Sequence, residues 1–275
     1  MLKALKSHYP EYMMEAAALA LFMMSACLFT TLLEHPQSPL RQALPDAMVR
    51  RVFMGLAMGL TAVSIIYSPW GRRSGAHMNP GVTLTYYRLG KVAPFDALFY
   101  VASQFAGGIL GVGLASALLR SALAAPQVRY AATLPGPRGR AVAFFAEVAI
   151  SFVLMLVILT VSNRPRLAAT TGFFAGALVA CYITVEAPLS GMSMNPARTL
   201  GSAVAARVWT GLWIYFTAPP SGMLLASAVY LAMNRTRKVI CAKLMHAGGG
   251  RCIFRCGYAE PAASAETLLP EARAV

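Results

Sequence analysis

The sequence predicts an all-α membrane protein: six transmembrane helices plus two re-entrant half-helices, arranged as an inverted repeat. Three observations carry that prediction. The chain is 57% hydrophobic and 12% charged, with a mean hydropathy of +0.58, and its charges fall between long apolar runs, as in a polytopic membrane protein. Six of those runs are long enough to cross a bilayer core of about 30 Å, which takes ~20 helical residues. A short motif, Ser-Gly-x-x-Met-Asn-Pro, occurs twice, at residues 74–80 and 190–196, each time between apolar runs.

Taken in order, the expected spans cover about Glu11–Leu33, Met48–Tyr67, Pro94–Leu119, Ala141–Val161, Leu167–Ala187 and Gly211–Met233. The first follows Lys3 and Lys6, and no small-residue cleavage site ends it, so it reads as a retained span and not a removed signal. Proline-rich loops separate several spans, and Leu134-Pro135-Gly136-Pro137 divides the chain into halves. Each Asn-Pro reads as a helix start: Asn caps well, and Pro suits the first helical position, where its missing N–H has no partner. A helix from Asn79 to about Arg88 spans roughly 15 Å, half the apolar thickness; the one after Asn195 runs to about Arg207. Such half-helices need partners for their free N–H groups and positive ends. Irregular backbone at that depth survives only inside protein or beside a water-filled path.

The halves match beyond the motif. Asn79 and Asn195 are 116 positions apart. Gly55 and Gly59 correspond to Gly172 and Gly176 at an offset of 117, and Gly107 and Gly111 to Gly222 and Ala226 at 115. These are small-xxx-small pairs, which let helices approach closely in lipid. Glu15 and Glu147 occupy like places near the starts of the first and fourth spans. Three spans per half is an odd number, so the second half inserts upside down, and the broken helices meet at the midplane. With both termini inside, 15 Lys and Arg lie on the inner side and 8 on the outer, which favours that orientation. The net charge of +14 is therefore that of span ends and a basic tail; nucleic-acid binding is not expected.

These residues resemble the aquaporin / major intrinsic protein family over about residues 11–233. The resemblance rests on both motifs, His77 before the first Asn-Pro, Glu15, Glu147, Gln104 in the third span, and Asn-Pro-Ala-Arg-Thr-x-Gly-Ser-Ala at 195–203. It implies residues 1–10 as a cytoplasmic N-terminus, a channel domain over 11–233 with repeat halves at about 11–120 and 141–233, and a cytoplasmic tail over 234–275. It further implies a pore through each subunit of a membrane homotetramer, conducting water and small neutral solutes. The expected location is a multi-pass protein of a bacterial inner membrane. The pore elements are Asn79, Pro80 and Gly81, then Asn195, Pro196, Ala197 and Arg198. The first motif departs from the family's Asn-Pro-Ala: Gly81 costs about 1 kcal/mol of helix preference and removes a methyl near the pore.

Each Asn oxygen can cap its own helix, leaving its NH2 free to donate to one passing molecule, which would interrupt a proton relay. The helix N-termini oppose cations. Arg198 sits where a cation is costly twice over, near a helix N-terminus and within a membrane, so it reads as the fixed donor of an outer constriction. Glu15 and Glu147 are expected to hold the re-entrant loops by accepting from loop backbone or from His77. By the family pattern the rest of the constriction is Ile183, Met192, and either Met58 or Gly59. One donor in an apolar ring suits glycerol, hydrogen peroxide, ammonia or urea besides water. Thr199, where glycerol facilitators carry Asp, and the Tyr215-Phe216 pair of water channels point the other way.

No catalytic group and no cofactor is expected. The alternatives are a non-conducting scaffold of the same fold and a gated or proton-coupled transporter; an intramembrane enzyme would need a Ser/His, paired Asp or Cys/His cluster within the spans, and none is seen. In the tail, Cys241, His246, Cys252 and Cys256 could complete a tetrahedral zinc site, but their spacing matches no assigned pattern, so no metal is assigned; lipidation of a juxtamembrane Cys is the other chemistry open to them. Residues from about Ala259 onward are expected to be disordered.

Overall fold

The structure, a computed structural model, describes residues 1–233, 239–246 and 251–258. Among them there is no strand. Of the twelve α-helices among the described residues, the eight longest organise the fold: α1 (Leu2–Glu34), α2 (Ala47–Tyr67), α3 (Pro80–Arg88), α4 (Pro94–Leu119), α5 (Arg140–Ser162), α6 (Thr171–Val185), α7 (Pro196–Ala206) and α8 (Leu212–Met233). Six are long and apolar enough to cross a membrane, with a 3-10 turn from Ala168 extending α6. The half-helices α3 and α7 have nine and eleven residues. Local chemistry sets these ends. Asp46 caps α2 through Val49 N at 2.8 Å, Pro94 opens α4, and Arg207 closes α7 in a left-handed turn at φ 53.

Residues 2–10, which precede the expected first span, continue α1 as helix through Pro10. In the tail, 239–246 and 251–258 pack on the body, with Val239, Cys241, Ala242, Leu244 and Phe254 all buried. Arg235, Arg237, Lys238 and everything from Ala259 onward lie outside the described residues.

The spans cross where the small residues fall. A Cβ on Gly59 would sit 2.6 Å from the Gly176 carbonyl, and one on Gly176 2.7 Å from the Gly59 carbonyl, so α2 and α6 touch backbone to backbone. Gly107 and Gly111 seat α4 against Ala16 and Ala20 of α1, and Gly222 seats α8 against Val148 of α5. Apolar surface turned outward is the complement: Leu60, Leu110, Leu118 and Phe145 are each 60–71% exposed, as lipid-facing side chains are. The half-helices dock across the repeat, α3 on α8 and α7 on α4, which brings their N-terminal ends together at the centre.

Candidate functional site

Both half-helices start as their sequence requires. Asn79 and Asn195 are extended (φ −154 and −150), each ahead of a Pro at the first helical position. The Asn79 Oδ1 accepts from Gly81 N at 2.8 Å; that of Asn195 accepts from Ala197 N at 3.0 Å and Arg198 N at 3.3 Å. The amide nitrogens then cross over. Asn79 Nδ2 donates to the Met194 carbonyl and Asn195 Nδ2 to the Met78 carbonyl, both at 2.7 Å. The NH2 groups are thus not wholly free. Each carries two hydrogens; one ties the two tips together and the other remains for a molecule in the cavity that both Asn residues line.

The loops leading to these tips are strained alike. Gly75 and Gly191 have φ 97 and 81, and the left-handed region continues at Ala76 (53), Met78 (48), Met192 (49) and Met194 (54). A non-glycine residue there costs of order 1–2 kcal/mol, so something must hold the loops. Two buried carboxylates do. Glu15 Oε1 accepts from Ser74 Oγ (2.8 Å) and His77 N (3.0 Å), and its Oε2 from Met78 N (2.7 Å) and Gln104 Nε2 (2.9 Å). Glu147 Oε1 accepts from Ser190 Oγ (2.7 Å) and Ser193 N (2.6 Å), and its Oε2 from Met194 N (2.7 Å). Loop backbone is the partner, as one of the two expectations had it. The His77 ring goes elsewhere, pairing with Thr83 Oγ1 at 3.0 Å and with the Ala242 carbonyl of the tail at 2.8 Å.

Three further pairs support the loops. Ser74 and Ser190 bond the two carboxylates. Tyr100 and Tyr215 donate to the carbonyls of Ser74 (2.6 Å) and Ser190 (2.5 Å). Thr83 pairs with the His77 ring and Thr199 with the Ser193 hydroxyl. Each pair recurs at an offset of 115 or 116, so the periodicity that revealed the glycines held this signal too.

A cavity of about 480 Å³ runs between the halves. It extends from Glu34, Arg51 and Gln127 at one face, past Arg198, Asn195 and Asn79, to Ile66, His77 and Leu244 at the other. Met58, Ile183, Met192 and Arg198 all line it. Between the two second-span candidates, Met58 reaches the cavity, whereas Gly59 is spent on the contact with Gly176. Arg198 Nη1 is buried without a hydrogen-bond partner among the described residues, so this guanidinium of the cavity lining is not tied into the fold through that nitrogen. Pro80, Gly81, Pro196 and Ala197 shape the half-helices without lining it. Gly81 in particular faces α8: a Cβ there would meet Met223 Sδ at 2.8 Å, so its missing methyl concerns packing and not pore width. Gln104 is a buried strut between Glu15 and Thr83. Phe216 is 38% exposed and stacks on Phe105 at 5.8 Å, away from the cavity.

The four tail ligands, dispersed in sequence, come together. One ligand atom each from Cys241, His246, Cys252 and Cys256 lies within 4.8 Å of all the others. Cys241 Sγ and Cys252 Sγ lie 3.6 Å apart, within reach of a thiol hydrogen bond. The bond from Cys241, helped by Lys243 and His246, pulls the Cys252 thiol down to about 5, while the same bond and burial push Cys241 up.

The comparisons agree with this architecture. The family model described as Major intrinsic protein matches residues 3–230, so the chain belongs to that family. A probable aquaporin of the NIP type from Nicotiana alata is 35% identical over 181 residues, covering 66% of this chain and 65% of that protein. Aquaporin NIP2-3 of Zea mays is 37% identical over 187 residues, 67% of this chain and 60% of that one. The chain thus spans somewhat under two thirds of these relatives' length. The X-ray structure of the aquaglyceroporin from Plasmodium falciparum superposes with a TM-score of 0.68 at 19% identity, over 82% of this chain and 96% of that chain; it shares the fold. The protein is an integral, multi-pass membrane protein of the major intrinsic protein family.

Proposed function

We propose that the protein is a passive channel for water and small uncharged solutes that excludes protons and cations. The observation that carries this reading is the pairing of two capped helix ends at mid-cavity, each presenting one unused amide hydrogen. A water molecule between them accepts from both sides and so turns its own hydrogens away from its neighbours, which breaks the chain along which a proton would hop. The positive ends of α3 and α7 face the same point and raise the energy of any cation there. Arg198 adds a fixed positive charge and a spare donor toward the face bearing Glu34 and Arg51. Donors without acceptors of equal strength favour neutral, oxygen-bearing solutes.

The ring of Met58, Ile183, Met192 and Arg198 is apolar except for the guanidinium. Such a ring admits water and suits glycerol, hydrogen peroxide, ammonia or urea, whose less polar side lies against thioether and isoleucine while a polar edge meets Arg198. The subunits assemble as a homotetramer in a bacterial plasma membrane, with both termini in the cytosol; the excess of Lys and Arg on the tail side supports that orientation.

Stopped-flow light scattering on proteoliposomes tests the reading. With a sucrose gradient the expected shrinkage is faster than for empty liposomes and has a weak temperature dependence; with a glycerol gradient re-swelling reports solute entry. Shrinkage matching bare lipid in both rate and Arrhenius slope would remove the channel assignment.

A further inference from the structure

The tail carries more structure than a channel needs. Ile240 N donates to Asn163 Oδ1 at 2.6 Å, the Ala242 carbonyl accepts from His77 Nε2 at 2.8 Å, and Leu244 N donates to the Gly75 carbonyl at 3.1 Å. From the second tail segment, Phe254 stacks on the His77 ring at 5.3 Å and 13°, and Arg255 N donates to the Lys91 carbonyl at 2.9 Å. Leu244 is 4% exposed and lines the tail-side end of the cavity with Ile66 and His77. Yet neither segment contains a helix or strand, so no regular secondary structure ties one to the other.

The cysteines and histidine stand where the segments meet. Cys241 and His246 bracket Leu244; Cys252 and Cys256 bracket Phe254. Cys241 Sγ is 3.6 Å from Cys252 Sγ, and Cys256 Sγ is 3.2 Å from His246 Nε2. A tetrahedral ion with metal–sulfur bonds of about 2.3 Å has ligand-to-ligand edges of ~3.8 Å, and one imidazole shortens those it shares. The cluster is thus near the size of a Cys3His site before any ion enters. Its surroundings suit one: His246 is stacked on Tyr258 at 4.3 Å, which fixes the imidazole plane, and Lys243 Nζ donates to the Arg251 carbonyl at 2.8 Å, tying the segments beside the thiols. Cys241 is buried, while Cys252, Cys256 and His246 are partly open to solvent, which leaves a path for the ion. Three sulfurs and one nitrogen select a soft or borderline cation over magnesium or calcium.

We propose that Cys241, His246, Cys252 and Cys256 form a tetrahedral site for a zinc-class divalent ion, and that this ion fastens Leu244 into the tail-side mouth of the cavity. Binding displaces the remaining thiol protons and replaces loose contacts between the two segments by four ligand bonds, so ion occupancy and tail order rise together. Removing the ion frees the segment that carries Leu244. The effect on conduction rests on the channel reading above; the metal site and the fastening do not.

The full chain, purified in detergent under reducing conditions without a histidine tag, supplies the test. Elemental analysis should find about one zinc per chain, and Cys252→Ser and Cys256→Ser should each lower it severalfold. Should those variants not fold, cobalt added to stripped wild-type protein gives the same answer through thiolate-to-cobalt charge-transfer and tetrahedral ligand-field bands. No bound metal after dialysis against zinc, or a Cys241–Cys252 disulfide in its place, overturns the site. Fastening is read by hydrogen exchange: the amides of Ile240, Leu244 and Gly257 should exchange at least about tenfold faster once a chelator has removed the ion. Unchanged exchange overturns it. Stripping should also speed water flux in proteoliposomes. Flux at the level of bare lipid in both forms would strike the channel reading alone, since the exchange result decides the fastening independently.

Discussion

The two halves of the molecule use one scaffold and differ at the places that face something. In each, a buried glutamate gathers a serine hydroxyl and two loop N–H groups, a tyrosine holds the loop carbonyl of that serine, and left-handed residues recur at the same positions. The differences are local. At the offset of 116, Arg198 corresponds to Val82 and Ser193 to His77; at 115, Pro219 corresponds to Gln104. Arg198 places a guanidinium in the lining of the cavity. His77, ringed by Tyr86, Tyr100 and Phe254, makes the end near Leu244 an aromatic seat for the tail. What repeats holds the backbone, and what does not repeat decides what the backbone meets.

That division makes the largest prediction. Glu147→Ala leaves the Ser193 and Met194 N–H groups and the Ser190 hydroxyl buried without their acceptor, at about 1–3 kcal/mol for each group. Thermal unfolding in detergent should fall sharply and water flux with it. Glu15→Ala should behave alike, with Gln104 as a fourth stranded donor. If one variant were harmless and the other severe, the shared scaffold would be the wrong description. Next in size is Arg198→Val, which restores at this position the valine of the first half. Stability should change little, because the Nη1 group bonds nothing in the described fold, whereas leak of small cations or passage of glycerol should rise roughly tenfold for loss of a charge-bearing constriction. Flux assays with glycerol and with a cation-sensitive dye read the two arms. An unfolded Arg198→Val protein would mean that the guanidinium is structural after all.

Much of this was legible in the sequence because the controlling interactions are periodic or local. The Asn-Pro caps are chemistry of adjacent residues, and the α3 and α7 ends came within a residue of expectation. The small-residue pairs marked faces of α2, α4, α6 and α8 where a neighbour comes close, though not which neighbour. Other features were not legible, each for a physical reason. Met58 and Gly59 are neighbours on one helix, and the choice between them turns on the rotation of α2, which is fixed by Gly176 across the interface. The amide cross-links from Asn79 and Asn195 join the repeats, and neither repeat alone reveals them. The tail cluster depends on two segments returning to the body through His77 and Asn163, contacts 165 and 77 positions apart in sequence. No local spacing rule foretells such a return.

The smallest prediction concerns the first motif's glycine, where the halves differ by compensation. In the second half, Ala197 of α7 lies against Gly108 of α4; a Cβ on Gly108 would meet the Ala197 carbonyl at 2.5 Å. In the first half the sizes are exchanged: Gly81 of α3 lies against Met223 of α8, whose sulfur occupies the place of the absent methyl. Met223 is the counterpart of Gly108 at the offset of 115. Gly81→Ala therefore gains up to about 1 kcal/mol of helix preference but overpacks a buried contact, which costs about 1–3 kcal/mol; Met223 is a flexible thioether, so the net loss should sit at the low end. Met223→Ala alone opens a void and should cost about 2–5 kcal/mol. The double variant should lose less than the sum of the two, a coupling of order 0.5–1 kcal/mol by the usual measure for touching residues. Thermal unfolding of the four proteins gives that coupling directly. Strict additivity would mean that Gly81 owes its place to something other than Met223, while water flux, which Gly81 does not line, should stay within a factor of about two throughout.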